Sequence, residues 1–195
     1  MVQLDDKDVF YPQSKQEWRN WLEKNHAEKN AIWLLYYKKQ TKKPTLTWSE
    51  AVDEALCFGW IDSVRKTVDH ESSIQLFSKR KPKSTWSRIN KQKTETLISH
   101  GLMTEAGMKS IDIAKQNGSW QILDSVEELL TPPDLAQAFQ AKPTAKQYFE
   151  TLSKSIRKAI LQWLVLAKKQ ETRAKRIAEI VDSADKQQKP KPFNV

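Results

Sequence analysis

Apolar residues recur every three or four positions along several stretches of the chain, a pattern typical of helices that bury one face. In the N-terminal half, the clearest example follows the capping box Thr47–Glu50 and ends at Gly59, because glycine tolerates the backbone of a helix end. The same spacing predicts further helices over residues 14–26, 85–100, 104–117, 131–139, 143–152, 156–167 and 174–181. Helices therefore account for much of the chain.

Three shorter runs between these helices have the pattern of β-strands. Ala31–Tyr37 is a continuous run of aliphatic and aromatic residues, which is typical of a buried central strand. Trp60–Val68 and Ile74–Lys79 flank the polar stretch Asp69–Ser73, so they predict a β-hairpin with a longer loop. The expected fold class is α+β, with a small antiparallel sheet of about three strands packed by helices and followed by a C-terminal helical subdomain.

Changes in these patterns divide the chain into three parts. Residues 1–118 hold the predicted strands and form an α+β N-terminal domain that contains the candidate site, and residues 119–185 form a helical C-terminal subdomain. Residues 186–195, KQQKPKPFNV, lack an apolar period and are expected to be a disordered tail.

The chain is strongly basic, with a net charge of +9. Such a charge favours phosphorylated ligands, other polyanions or an anionic membrane surface, whereas solvated lysine-rich helices are the plain alternative. No run of residues is long and apolar enough to span a membrane. The first residues, MVQLDDKDVFYPQ, are acidic and lack the apolar core of a secretory signal, so we expect a cytoplasmic protein without a transmembrane segment.

Few residues suit metal or nucleotide chemistry. Cys57 is the single cysteine and stands in an apolar helical run, so neither a disulfide nor a thiolate cluster is expected. The histidines His26, His70 and His100 are scattered and lack a second ligand at metal spacing. Glycine-rich phosphate loops and the G-x-S-x-G motif of a nucleophile are absent. We therefore expect neither a metal nor a cofactor.

The most distinctive segment lies between Glu71 and Glu95 and contains no acidic residue. Its cations alternate with aromatic residues before a predicted helix, where free backbone N–H groups and the helix dipole attract anions. An edge strand protected by solvated lysines is the alternative. The predicted ligand-binding residues, taken together with the strand before this segment, are Trp60, Asp62, Arg65, Lys79, Arg80, Lys83, Ser84, Trp86, Ser87 and Asn90.

Trp60 and Asp62 form a second candidate, because alternate residues of a strand share one face. Arg65, further along the same strand, is expected on the opposite face. A carboxylate beside an indole is partly desolvated, which is how proteins build a general acid or base. Asp62 is therefore the catalytic residue if there is one. A structural ion pair of Asp62 with Arg65, Arg80 or a lysine is the alternative.

A second basic cluster, Lys168–Arg176, lies near the C-terminus. Arg173 and Arg176 stand three residues apart, so they are expected to form one exposed stripe of a helix. If this stripe and the segment from Lys79 to Lys93 formed one groove, nucleic acid would be a plausible partner. No helix-turn-helix, RNA-recognition or zinc-finger motif supports that interpretation.

Four segments of the chain together resemble one known family. They are EALCFGWIDS from Glu54, KRKPKSTWSRINKQK from Lys79, GLMTEAG from Gly101 and AKKQETRAKRI from Ala167. In this order they resemble the YdeI/OmpD-associated family, also labelled bacteriocin-protection, over residues 10–184. The resemblance implies a bacterial, cytoplasmic protein linked by its family name to envelope or antimicrobial stress, and it implies no particular reaction.

Three functions are compatible with these observations. The first is a stress-protection binding module with a basic, tryptophan-lined pocket for an anionic small molecule or protein partner. The second is a small enzyme that uses Asp62 as general acid or base on a substrate bearing a phosphate or a carboxylate. The third is a non-specific nucleic-acid binder.

Overall fold

The computed structural model describes residues 9–194. Residues 1–8, on which part of the signal-peptide argument depends, lie outside this range, as does Val195 of the predicted tail. The chain divides into two compact units, an N-terminal unit that ends at Trp120 and a C-terminal unit that begins at Gln121. None of the helices within the described range is long and apolar enough to cross a membrane.

The N-terminal unit contains one sheet with helices packed against it. Its elements are β1 (Val9–Phe10), α1 (Lys15–Asn25), β2 (Ala31–Tyr37), α2 (Trp48–Cys57), β3 (Trp60–Thr67), β4 (Ser72–Lys79), α3 (Arg88–Ser99) and α4 (Glu105–Gln116). The strand order is β1-β2-β4-β3, in which β4 pairs antiparallel with both β2 and β3, and β1 pairs parallel with β2. This arrangement confirms the α+β class. The added strand β1 escapes prediction because two residues cannot show an alternating pattern.

Helices α1 and α2 bury their apolar stripes on one face of the sheet. Trp18 and Leu22 of α1 and Ala51 of α2 share the core with Leu34 and Phe77 from the strands. The indole N–H of Trp18 donates to the carbonyl of Ala51 at 3.0 Å, so this buried polar group is satisfied within the core. The core therefore sets the position of α2, and with it the start of β3.

Strand β3 carries a bulge that changes which side chains share a face. Asp62 pairs with Phe77 and Arg65 pairs with Gln75, so positions three apart on β3 face positions two apart on β4. Such an extra residue reverses the alternation of side chains beyond it. Arg65 consequently lies on the same face as Asp62, and the prediction that it points to the other face is wrong. The Ser63 carbonyl in the bulge accepts a hydrogen bond from the Gln75 amide at 3.1 Å.

The end of α2 and the start of α4 approach each other closely. The backbone N–H and the hydroxyl of Thr104 both donate to the Cys57 carbonyl, at 3.1 and 2.6 Å. A Cβ on Gly107 would lie 2.2 Å from the same oxygen, so glycine is needed there. Gly59, which ends α2 with a φ of 71°, would place a Cβ 3.0 Å from the Ala106 carbonyl. This contact holds α4 beside the start of β3.

Helix α3 begins later than the sequence pattern predicts. Its N-cap is Ser87, whose hydroxyl oxygen accepts from the backbone N–H of Asn90 at 3.3 Å, and not the predicted cap Ser84. The N–H of Ser84 instead closes a turn with the carbonyl of Lys81 at 2.9 Å, and the carbonyl of Thr85 accepts from a side chain. These bonds keep the segment before Ser87 out of the helix.

The regular elements in the described part of the C-terminal unit are all helices. Its helices are α5 (Asp124–Glu127), α6 (Pro133–Gln140), α7 (Pro143–Thr151), α8 (Lys154–Val165) and α9 (Gln170–Asp185). The apolar stripes identified in the sequence supply much of its core, including Leu135, Phe139, Phe149, Ile160, Leu164 and Val181, and Ile180 is buried with them although it lies outside the predicted stripe. Helical periodicity therefore locates the four longer helices α6 to α9, although α9 begins at Gln170, before the predicted residue 174. The four-residue α5 lies in a stretch where the pattern predicts no helix.

The segment predicted to be a disordered tail contains a short 3-10 helix, Lys191–Phe193. The Phe193 ring contacts the Trp163 ring at 5.9 Å between centroids, and the N–H of Lys191 donates to the Glu179 carboxylate at 3.0 Å. A single aromatic anchor in a polar segment produces no periodicity, so the pattern of apolar residues does not indicate this packing.

Candidate functional site

A cleft of about 430 Å³ opens in the N-terminal unit, where the ends of α1, α2 and β4 meet α4. Its walls combine apolar side chains with several cations. We call it the Arg80 cleft. Its lining residues are His26, Ala27, Phe58, Gly59, Trp60, Lys79, Arg80, Lys81, Pro82, Ala106, Lys109, Ser110 and Ile113.

Arg80 is held in the cleft by contacts at both ends of the residue. Its backbone N–H donates to the Gly59 carbonyl at 2.9 Å, which continues the β3–β4 pairing past the end of the strands. The guanidinium carbon lies 3.6 Å from the centre of the Trp86 ring, and Nη1 donates to the Thr85 carbonyl at 2.9 Å. The atoms Nε and Nη2 are buried and have no hydrogen-bond partner among the described residues. One edge of the guanidinium group is therefore left with unmatched donors.

The electrostatic environment of Arg80 is that of a buried cation without a matching carboxylate. Burial lowers the pKa of the guanidinium to about 10, and the negative charge of Asp62 opposes this shift. Arg80 forms no ion pair with any described carboxylate. Burial therefore lowers the pKa of Arg80 by more than the charge of Asp62 raises it. An anion that entered the cleft would supply the negative charge that the guanidinium group lacks.

Two buried tryptophans beside Arg80 also carry unmatched donors. Trp60 is 0% exposed and Trp86 is 1% exposed, and neither indole N–H has an acceptor among the described residues. Buried indole N–H groups usually find a partner. Trp60 lines the cleft with Arg80, and Trp86 stacks on the Arg80 guanidinium group, so these three of the five described residues with buried unmatched side-chain atoms are neighbours.

Further cations surround the Arg80 cleft. Lys79, Lys81 and Lys109 line it, and none of the described lining residues is acidic. The ammonium group of Lys79 donates to the Ala27 carbonyl at 2.6 Å, whereas Lys81 and Lys109 are exposed. Positive charge is thus available both inside the cleft and at its opening.

An adjoining cavity of about 460 Å³ shares part of this lining. His26, Phe58 and Lys109 line both spaces, but the second is also lined by Glu23 and Glu105. The two carboxylates reduce the positive potential on that side. An anion is therefore best accommodated at the Arg80 end.

Asp62 belongs to a different group of side chains and does not line the Arg80 cleft. Its Oδ2 atom accepts from the Trp48 indole N–H at 2.8 Å and from the Gln75 amide at 3.0 Å. On the same face, Arg65 donates to the Ser73 hydroxyl at 2.9 Å. The predicted site is thus divided. Trp60, Lys79, Arg80 and Trp86 gather at the cleft, and Asp62 and Arg65 lie in a polar group beside the β3 bulge.

The remaining predicted residues of the basic segment lie outside the cleft. Lys83 is exposed, and Ser84 takes part in the turn after β4. Ser87 and Asn90 form the cap of α3. None of the four lines the cleft, because the chain turns away from it between Pro82 and Thr85.

The predicted exposed stripe of Arg173 and Arg176 is half-buried and has partners inside the C-terminal unit. Arg173 forms a bidentate ion pair with Asp134, from Nε to Oδ2 at 2.5 Å and from Nη2 to Oδ1 at 2.9 Å. The Arg176 guanidinium carbon lies 4.7 Å from the centre of the Trp163 ring, and Nη1 donates to the Trp163 carbonyl. Both arginines therefore have structural roles in α9.

Sequence reasoning missed several residues that matter here. Lys109 and His26 reach the cleft from α4 and from the end of α1, which are remote from β4 in the sequence. Trp48 and Gln75 donate hydrogen bonds to Asp62. Trp48 fits the apolar spacing of α2, which predicts a buried position, but it is 42% exposed. The available signal was the position of Trp48 at the first residue of α2, because an indole in the solvent-exposed first turn of a helix can donate to a neighbouring carboxylate. No group of three or more His, Cys, Asp or Glu side chains within the described range could hold a metal ion.

Residues 10–110 match the family model described as a domain of unknown function, DUF8412. This match spans more than half of the 195 residues. The chain belongs to the DUF8412 family. Trp60, Arg80 and Trp86 lie within the DUF8412 match, and so does the lining of the Arg80 cleft apart from Ile113.

Residues 128–187 match a second family model, described as Bacteriocin-protection, YdeI or OmpD-Associated. The match confirms the resemblance for the part of the chain that contains AKKQETRAKRI. The other three segments that suggested this family lie within the DUF8412 match. No curated protein and no solved structure matched the chain significantly.

Proposed function

We propose that the DUF8412 part of the chain is a binding module that holds a small anionic ligand in the Arg80 cleft. The observation that carries the proposal is the buried Nε–Nη2 edge of Arg80, which has no acceptor among the described residues. Leaving charged donors buried and unmatched is unfavourable, and an anion that accepts from them removes this penalty. The surrounding lysines favour the same sign of ligand.

The cleft has the usual make-up of a small-molecule site. Binding pockets are mostly apolar with a few polar groups that fix orientation. Phe58, Trp60 and Ile113 supply apolar walls here, and Arg80 supplies the directional donors. A cavity of about 430 Å³ accommodates a small molecule and is too small for a folded partner. The proposal therefore concerns a metabolite-sized anion.

The family name of the C-terminal part provides a physiological setting for the proposal. Residues 128–187 match a family described as bacteriocin-protection. We propose that the protein is a bacterial stress-protection protein of the cytoplasm. Its N-terminal unit binds the ligand, and its C-terminal unit carries the part that matches the bacteriocin-protection family.

Ligand-linked stabilisation tests the proposal directly. Acetate, inorganic phosphate and sulfate should each be titrated against the full chain while Tm is recorded, because a ligand that binds the folded state raises its stability. At least one of them should raise Tm, and Arg80→Met should cancel the rise. Lys83→Met, which removes the same charge from an exposed position outside the cleft, should leave the rise unchanged. A rise that persists in Arg80→Met would place the anion elsewhere and reject the proposal.

The catalytic alternative depends on Asp62 and receives less support. Asp62 accepts from two neutral donors that tie it to α2 and β4, and it does not line the Arg80 cleft. The nucleic-acid alternative depended partly on Arg173 and Arg176, which are engaged within the C-terminal unit. Binding to DNA or RNA that fell steeply with rising salt would revive it.

A further inference from the structure

The unmatched edge of Arg80 has a defined geometry. In a guanidinium group, Nε–H and the neighbouring Nη2–H point in the same direction, so two oxygens of one acceptor group can accept both hydrogens. The Trp86 ring covers the guanidinium group, and Nη1 is occupied by the Thr85 carbonyl. The unmatched donors therefore point in the plane of the group, on the side of Nε and Nη2. A planar carboxylate fits this direction.

Charge balance distinguishes a carboxylate from a phosphate. Arg80 brings one buried positive charge. The half-buried Lys79 ammonium already donates to the Ala27 carbonyl, and the charges of Lys81 and Lys109 are exposed and solvated. One buried negative charge offsets the Arg80 charge, but a second one would lose its hydration without a buried partner. A monoanion is therefore favoured over a phosphate dianion at this depth in the cleft.

The walls of the cleft determine the rest of the ligand. Ala106 and Ile113 are half-buried and present apolar surface in the cleft beside Arg80, whereas Phe58 is 4% exposed and Trp60 is 0% exposed, so these two offer little surface or none. Apolar surface buried on binding contributes favourably in proportion to its area. A ligand with an aliphatic or aromatic body gains from these walls, whereas a small hydrophilic acid does not.

We infer that the Arg80 cleft binds a small monocarboxylate with an apolar body, whose two carboxylate oxygens accept from Nε–H and Nη2–H of Arg80. The body lies against Ala106 and Ile113. The inference rests on the proposed function, because it names the class of anion held at the same site. Since both nitrogen atoms are buried, the carboxylate reaches them through a shift of the Arg80 side chain or of the segment from Lys81 to Thr85.

A set of matched probes tests the chemical class. Phenylacetate, its neutral analogue phenylacetamide and the dianion phenyl phosphate have similar bodies and different head groups. Isothermal titration of the full chain should give the lowest Kd for phenylacetate, with the other two weaker by roughly tenfold or more. Hexanoate should likewise bind tighter than acetate by roughly tenfold, because its longer chain buries more apolar surface.

Three variants test the role assigned to Arg80. Arg80→Met should abolish the binding of phenylacetate. Arg80→Lys keeps the charge but loses the planar fork, so it should weaken binding by roughly tenfold or more. Lys83→Met removes an exposed charge near the same segment and should leave the Kd unchanged. Equal affinity in Arg80→Lys and the unmodified chain would overturn the two-oxygen geometry.

The outcomes separate this inference from the proposed function. Tighter binding of phenyl phosphate than of phenylacetate, lost in Arg80→Met, would keep the anion site and overturn the assignment to carboxylates. Tighter binding of acetate than of hexanoate, also lost in Arg80→Met, would reject only the inference that the ligand has an apolar body. If no carboxylate, phosphate or sulfate bound in an Arg80-dependent way, the inference and the proposed function would both be rejected.

Discussion

The guanidinium carbon of Arg80 lies 3.6 Å from the centre of the Trp86 ring, and no described carboxylate pairs with the charge. Arginine stacked on an aromatic ring is stabilised by the cation–π interaction. The stack holds the guanidinium group at the cleft without occupying its Nε–Nη2 edge. The position of the charge is thus maintained by the stack and by the bond from Nη1 to the Thr85 carbonyl, which leave the Nε and Nη2 donors unused.

Replacement of Arg80 by Met separates a binding role from a structural one. The methionine keeps an apolar stem over Trp86 and removes a desolvated charge with two unmatched donors, which offsets the lost cation–π contact and the lost bond to the Thr85 carbonyl. The free energy of unfolding should therefore change by less than about 1 kcal/mol or increase. Urea denaturation of the purified variant measures this change. If Arg80 were needed for stability, its replacement would lower the free energy of unfolding by far more.

Two further variants calibrate that measurement. Trp86→Ala deletes a buried aromatic side chain and should lower the free energy of unfolding by about 3–5 kcal/mol. The exposed control Lys83→Met should stay within about 0.5 kcal/mol of the unmodified chain. A loss above about 2 kcal/mol in Arg80→Met would show a structural role for the guanidinium group and contradict the expectation.

Asp62 is expected to stabilise the β3 bulge. Asp62→Ala removes the acceptor of the Trp48 indole and one acceptor of the Gln75 amide, so it should lower the free energy of unfolding by about 1–2 kcal/mol. Urea denaturation provides the value, and Asp112→Ala, at an exposed position of α4, is the matched control. Binding of phenylacetate should be unaffected by Asp62→Ala. Loss of that binding in a folded variant would return Asp62 to the site.

Gly107 should tolerate no side chain. A Cβ there would lie 2.2 Å from the Cys57 carbonyl, so Gly107→Ala must separate α4 from the end of α2 and should cost more than about 2 kcal/mol. Gly101→Ala is the comparison, because its Cβ would meet no atom within 4 Å and only its φ of 66° is unfavourable. That variant should cost about 1 kcal/mol. Equal losses in the two, measured by thermal denaturation, would argue against the close contact.

The buried thiol of Cys57 predicts a loss of stability at high pH. Burial raises the pKa of this thiol from 9.0 to about 11, and the negative charge of Glu54 acts in the same direction. Between these two values the unfolded chain has lost the proton and the folded chain retains it. The free energy of unfolding therefore falls as pH rises through this window, and below the window the full contribution is present.

The difference between the unmodified chain and Cys57→Ala isolates this effect, because lysine and tyrosine titrations are common to both. Urea denaturation from pH 8 to pH 11 should show the two stability curves converging or crossing as the pH rises. In the folded chain at pH 8, Cys57 should react with a thiol reagent only at the rate of unfolding. Parallel curves, together with fast labelling, would mean that the thiol is accessible.

Local periodicity was sufficient to predict most of the helices and the β3–β4 hairpin. Helical spacing identifies α2 and α8 because each helix shows its buried stripe within a dozen residues. The acid-free segment likewise indicates Arg80 and Trp86 as candidate site residues, since a run of cations beside aromatic residues can be recognised from the sequence alone. Such signals are local, and they arise from neighbours in the sequence.

Long-range contacts decided the composition of the candidate site. The β3 bulge depends on the pairing of Arg65 with Gln75 across two strands, and it moved Arg65 to the face of Asp62. Lys109 reaches the Arg80 cleft because Gly107 lets α4 approach α2, a contact between distant parts of the chain. The parallel pairing of β1 with β2 is of the same kind.

The amino-acid sequence by itself determined the fold class, most helix positions and the basic segment that holds Arg80. Only the tertiary structure decided which cations face a common cleft, that Asp62 lies outside it, and that Arg80 has donors without acceptors. The physical reason is that periodicity and charge are properties of neighbouring residues, whereas burial and hydrogen-bond satisfaction depend on what distant segments bring to the same place.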